Sequence, residues 1–74
     1  MLSETVRELL HAAPFVPFTV YMADGKSFQV EHPDFATQSR RGDVVVLNIE
    51  GNRFAWIDLD LATRVEAIKV DQPV

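Results

Sequence analysis

The sequence predicts a mainly β domain with one N-terminal α-helix, its strands forming a small, strongly bent, five-stranded antiparallel barrel. Three observations lead there. The opening residues carry an apolar stripe at helical spacing, residues 14–32 read as a β-hairpin of fixed register, and short strand-like runs separated by turn signals fill the remainder. Closing such strands on themselves hides edges that would otherwise invite aggregation. All 74 residues fit one domain: a helix over about 3–13, a barrel over about 15–70 and a fraying tail over 71–74.

Leu2, Val6, Leu9, Leu10 and Ala13 fall at i, i+4, i+7, i+8 and i+11, one face of a helix. Ser3 is placed to cap its start, with Glu4 in the first turn where negative charge is favoured. His11 falls in the last turn, where the helix dipole favours its protonated form, and Pro14 ends the run by restricting Ala13. So short a helix is marginal in water unless its apolar face lies on something.

The hairpin is PFVPFTVYMADGKSFQVEH. A two-residue Asp24-Gly25 loop would set Val20 opposite Gln29 and Phe18 opposite Glu31. A three-residue Ala23-Asp24-Gly25 loop instead pairs Met22 with Lys26, Val20 with Phe28 and Phe18 with Val30, gathering the apolar set on one face. It also places Gly25 at the left-handed end of a type I turn, a conformation glycine adopts at no steric cost. A slip of one residue would turn the whole set to water, so the longer loop is predicted. Pro17 confines residues 15–17 to a strand start or an edge, and the Pro14–Phe18 run reads as a rigid helix-to-strand corner.

His32-Pro33-Asp34 is a turn, Phe35–Ser39 a weak strand and Arg40–Asp43 another turn. Val44–Ile49 is apolar on both faces until Asn48, which implies cover on both sides, by the helix or by another subunit. Glu50-Gly51-Asn52 closes a second hairpin. Beyond it Phe54 and Trp56 alternate with Ala55, Ile57 and Leu59. The last strand, Thr63–Val70, sets Val65 and Ala67 on one face and Ile68 and Val70 on the other, which requires a bulge or bend near Ala67.

Composition narrows the function classes. The chain has no cysteine, which removes disulfides and thiolate metal sites, and its two histidines cannot close a zinc site alone. At this length one core is marginal, so oligomerisation is the remaining support. Eleven acidic residues against seven basic ones give a net charge of −4. Such a balance opposes broad nucleic-acid binding, which needs a surplus of Lys and Arg. No run approaches a membrane span and the N-terminus lacks signal-peptide order, so the expected location is the cytoplasm.

Two resemblances add to this reading. Helix, strand, Asp-Gly, strand and three further strands resemble the Sm-like fold, an SH3-like barrel, and among bacteria the Sm-like RNA-chaperone family. Phe18–Lys26 looks like that family's first strand and turn, and Leu61–Val65 like its link into the last strand. The resemblance implies rings built by pairing the fourth strand of one subunit (here Arg53–Leu59) with the fifth of the next (Thr63–Val70). It also implies that Asp34-Phe35 matches an acidic-aromatic pair whose ring stacks on a base. The family's Tyr-Lys-His pocket run is replaced here by Ile57-Asp58-Leu59-Asp60, whose carboxylates repel phosphate. Pro14-Phe15-Val16-Pro17-Phe18, Asp24-Gly25 and His32-Pro33 also resemble a group of small bacterial proteins sharing the pattern PF-x-PF, DG, HP; that likeness implies no activity.

Candidate sites follow from residue chemistry. His32 with Asp34 or Glu31 is an acid–base or metal pair in one reading and an ordinary turn in the other. Phe35, Arg40 and Arg41, with Lys26 nearby, are the candidate contacts to nucleic acid or an acidic partner, the alternative being a solvated turn. Trp56 beside Asp58 and Asp60 marks a binding face, core or an oligomer seam, and Tyr21 and Phe15 are in the same position. The candidate oligomer interface is Val44, Val46, Phe54, Trp56, Val65 and Ile68. No catalytic, metal or cofactor grouping stands out, and so small a chain leaves little room for a pocket of ~300 Å³ or more. The expected function is therefore a non-enzymatic, self-associating interaction module. An RNA binder of the Sm-like kind is the alternative.

Overall fold

A computed structural model describes residues 2–67. Its order is α1 (Leu2–Leu10), β1 (Phe18–Met22), β2 (Ser27–Val30), a 3-10 turn Pro33–Phe35, β3 (Ala36–Gln38), β4 (Val44–Glu50), β5 (Arg53–Asp58), a second 3-10 turn Leu59–Leu61 and β6 (Ala62–Ala67). The chain is mainly β with one N-terminal helix, as expected, but the five-stranded barrel is not formed. Six strands make two separate three-stranded antiparallel sheets, ordered β2-β1-β6 and β3-β4-β5.

The first hairpin has the predicted register: Phe18 faces Val30 and Val20 faces Phe28. The Met22 amide donates to the Lys26 carbonyl at 2.8 Å, and the Asp24 carboxylate accepts from the Lys26 amide at 2.9 Å. Gly25 takes φ +92° with open space where a Cβ would point. Gly25→Ala therefore costs backbone strain alone, about 1 kcal/mol, visible as a small fall in the urea midpoint with no change in slope.

Closure fails at the link between the hairpin and β3. Pro33 brings no N–H to a ladder, and the His32 Nδ1 accepts from the Asp34 amide at 3.3 Å, capping the 3-10 turn. The chain leaves that turn as a three-residue β3 that pairs with β4 only. The outer edge of β2 then has no strand partner among the described residues. Asp58 ends β5 the same way, its carboxylate accepting from the Asp60 amide at 3.0 Å. The predicted link of Asp58 and Asp60 to the strand face is thus partly a cap. The β6 pairing is irregular opposite Tyr21–Met22, and the bend predicted near Ala67 falls against Ile68–Val70, which lie outside the described residues.

The helix stops at Leu10, three residues short of the predicted end, with His11 and Ala12 amides closing onto the Arg7 and Leu9 carbonyls. Only Val6 of α1 is fully buried, while Leu9 and Leu10 pack at the margin of the core. The core itself joins Val6 to Phe18, Val20, Val30, Ala36, Val45, Leu47, Ile57 and Leu59, drawn from both sheets. Gln38 fixes the helix to the second sheet, its Nε2 donating to the Ser3 and Gly42 carbonyls at 2.8 Å each.

Candidate functional site: two unlike sheet faces

Alternation along each strand sends one set of side chains to the core and the other outward. On the first sheet the outward set is polar. Thr19 pairs with Gln29 and Glu66, and Tyr21 with Ser27 and Arg64. The Arg64 guanidinium lies 4.2 Å over the Tyr21 ring, donates to Glu66 at 3.0 Å, and Tyr21 Oη donates to the same carboxylate at 3.3 Å. This face is satisfied as it stands in water.

The second sheet is different. Val45, Leu47 and Ile57 face the core, and Ala55 packs at its margin. Outward lie Val46 opposite Trp56, Asn48 opposite Phe54 and Val44 opposite Asp58. Trp56 is 71% exposed and Phe54 52%, against 2% for Ile57, which follows Trp56 on the opposite face. Cross-strand pairing thus collects four of the predicted interface residues (Val44, Val46, Phe54 and Trp56) on one outer face. Val65, a fifth, lies opposite Val20 on the first sheet and packs against the core. Ile68, the sixth, lies outside the described residues. Phe15 packs on the core too, its ring 6.1 Å from that of Phe18.

The edge of the second sheet is also free. The Leu59 amide donates to the Asp43 carbonyl at 2.8 Å, so odd-numbered positions of β5 turn their backbone groups to β4. Phe54, Trp56 and Asp58 turn theirs outward, where no strand pairs with them among the described residues. Native edges are normally guarded by shortness, charge or proline. β3 is three residues long and β6 carries Arg64 and Glu66, whereas β5 presents two aromatics and is charged only at its ends, Arg53 and Asp58.

The remaining candidates do not converge. Phe35 lies at the start of β3, its ring 5.5 Å from His32. Arg40 and Arg41 follow β3 at its other end, where Arg7 Nη2 donates to the Arg40 carbonyl at 3.3 Å. Lys26 belongs to the hairpin of the first sheet. Three strand residues, Ala36–Gln38, lie between the aromatic ring and the turn that carries the arginines. His32 Nδ1 lies 3.6 Å from the Asp34 carboxylate, both side chains exposed, in the geometry of a turn cap. His11 Nδ1 lies 2.9 Å from the Arg7 carbonyl at the helix end. Among the described residues no three His, Cys, Asp or Glu side chains are grouped to hold a metal, and no helix is long and apolar enough to cross a membrane.

Open grooves are larger than the size of the chain suggested. One of about 440 Å³ lies between β2 and the far end of β4, another of about 340 Å³ between α1 and β3. The first is a seam that pairing of β2 with the second sheet would have filled. Comparison of the chain with protein-family models, with curated proteins and with solved structures finds no match.

Proposed function

We propose that this protein is a non-enzymatic assembly module that acts by self-association through the outer face and free edge of β5. The contrast between the two sheets carries the reading. One chain builds a polar, internally bonded outer face on the first sheet and an apolar one, with two large aromatics, on the second. Apolar clusters of that kind are the usual mark of a contact surface.

A second copy suits this edge because antiparallel pairing of β5 with itself about a two-fold axis is self-complementary. Phe54 and Trp56 of one chain then meet Trp56 and Phe54 of the other, and the outward backbone groups find partners. The aromatics expose roughly 250–300 Å² per copy, short of the ~800 Å² per partner of a standard interface, so association is weak. Half-association is expected at ~10–100 µM.

Light scattering across concentration tests this, with a mass rising towards twice the 8.4 kDa of one chain. Trp56 is the sole tryptophan, so its emission should shift to the blue over the same range. Trp56→Lys should hold the single-chain mass throughout while unfolding at the same urea concentration as the parent in dilute solution. A parent that keeps the single-chain mass and unshifted emission to ~500 µM would end the proposal.

A further inference from the structure

Beyond self-association through β5, we propose that the groove between β2 and the end of β4 binds an extended peptide strand, apolar at alternate positions and basic at those between. The groove has about 440 Å³ and lies between two backbone edges that lack strand partners among the described residues. On one side is β2. The Met22 amide bonds the Lys26 carbonyl, so Phe28 and Val30 turn their backbone groups to β1 and Ser27, Gln29 and Glu31 turn theirs into the groove. On the other side β3 accompanies β4 only as far as Leu47, and Asn48 to Glu50 continue without it.

Side-chain placement selects the ligand. Phe28, Leu47, Ile49 and Phe35 line the groove, and Ile49 and Phe35 are about half exposed, so apolar groups of the inter-sheet layer are left open there. A strand added to β2 places alternate side chains on that layer and the others on the outward face, beside Ser27, Gln29 and Glu31. Glu31 is the one ionisable group on the lining among the described residues, within a chain of net charge −4. A carboxylate on the outward face matches Lys or Arg at the outward positions of the ligand. The four residues of β2 pair with a segment of about six, the extra residues reaching past its ends.

The probe is the capped hexapeptide (Lys-Val)3, with (Glu-Val)3 as its charge-reversed control, read by residue-resolved amide exchange on the full chain. At about 5 mM, above the ~1 mM dissociation constant reasonable for a few edge bonds, (Lys-Val)3 should slow exchange at Ser27, Gln29 and Glu31 at least fivefold and leave Phe54 and Trp56 unchanged. Gln29→Pro removes the central outward N–H without touching a β1 bond and should abolish the effect. Glu31→Lys, at an exposed site, should weaken it severalfold and exchange the preference of the two peptides. Three results would overturn the proposal: no slowing with (Lys-Val)3, equal slowing by both peptides, or slow exchange at these amides before peptide is added. The last would assign the groove to another part of the chain, or, where it grows with protein concentration, to a second copy.

Discussion

Phe18→Ala is expected to leave the protein barely folded at 25 °C. Phe18 is 2% exposed at the centre of the first sheet, between Val30 on β2 and Ala67 on β6. Truncating a buried phenylalanine removes its transfer free energy and leaves a cavity, together about 3–5 kcal/mol. A 74-residue chain has about 4–11 kcal/mol to lose, on the usual stability per residue. The thermal midpoint should fall by more than about 15 °C. Trp56→Ala is the control: a larger side chain, but 71% exposed, so its loss should change stability at low protein concentration by less than ~0.5 kcal/mol. Equal urea midpoints for the two variants would mean that the inward and outward faces have been assigned wrongly.

That contrast also shows which parts of the molecule were legible in the chain. The register of the first hairpin was, because parity and Gly25 pointed to the same loop: only one loop length puts Phe18, Val20, Phe28 and Val30 on one face. The two-sidedness of β5 was legible too, since Ala55, Ile57 and Leu59 alternate with Phe54 and Trp56, but which set turns inward was not, because both sets are apolar. Whether strands close into a barrel is a different kind of question. It depends on two edges meeting in space, and here a capped turn at His32–Asp34 decided it by diverting the chain before β2 could pair onward. His32 and Asp34 read as candidate chemistry in the sequence, and Asp58 and Asp60 as charge beside a tryptophan. Both pairs act as local caps, and the signal for that was a side chain with an acceptor atom, the His32 imidazole or the Asp58 carboxylate, two residues before an amide in need of a partner. The groove beside β2 had no sequence signal at all, because an empty seam is the absence of a pairing and leaves no periodicity behind.

Val6→Asp tests how the helix is held, and its expected effect is as large as that of Phe18→Ala. Nine residues of helix are not stable alone, so α1 exists because Val6, 1% exposed, sits in the core and Gln38 ties Ser3 to the second sheet. An ionised carboxylate at that position costs several kcal/mol if it stays buried. The chain has a cheaper route, which is to release α1, and the variant should lose its helical circular dichroism along with most of its stability. Burial raises the folded pKa of the introduced carboxyl above the ordinary ~3.9. A raised folded pKa means that the deficit is smallest below the unfolded pKa, where the group is neutral in both states, and grows as pH rises through the folded pKa. The variant should therefore move closest to its parent in acid, near pH 4 and below, and fall furthest behind at pH 7. The milder pair Val6→Ala and Gln38→Met separates docking from packing. Gln38→Met removes donors to two carbonyls, at about 1–3 kcal/mol, less some relief because the buried Gln38 Oε1 has no partner among the described residues. If both residues serve one docking event, either change already frees the helix and the double variant loses at least ~0.5 kcal/mol less than the two single losses together. Strict additivity, with helical signal retained in both single variants, would mean that α1 is held by contacts other than these two.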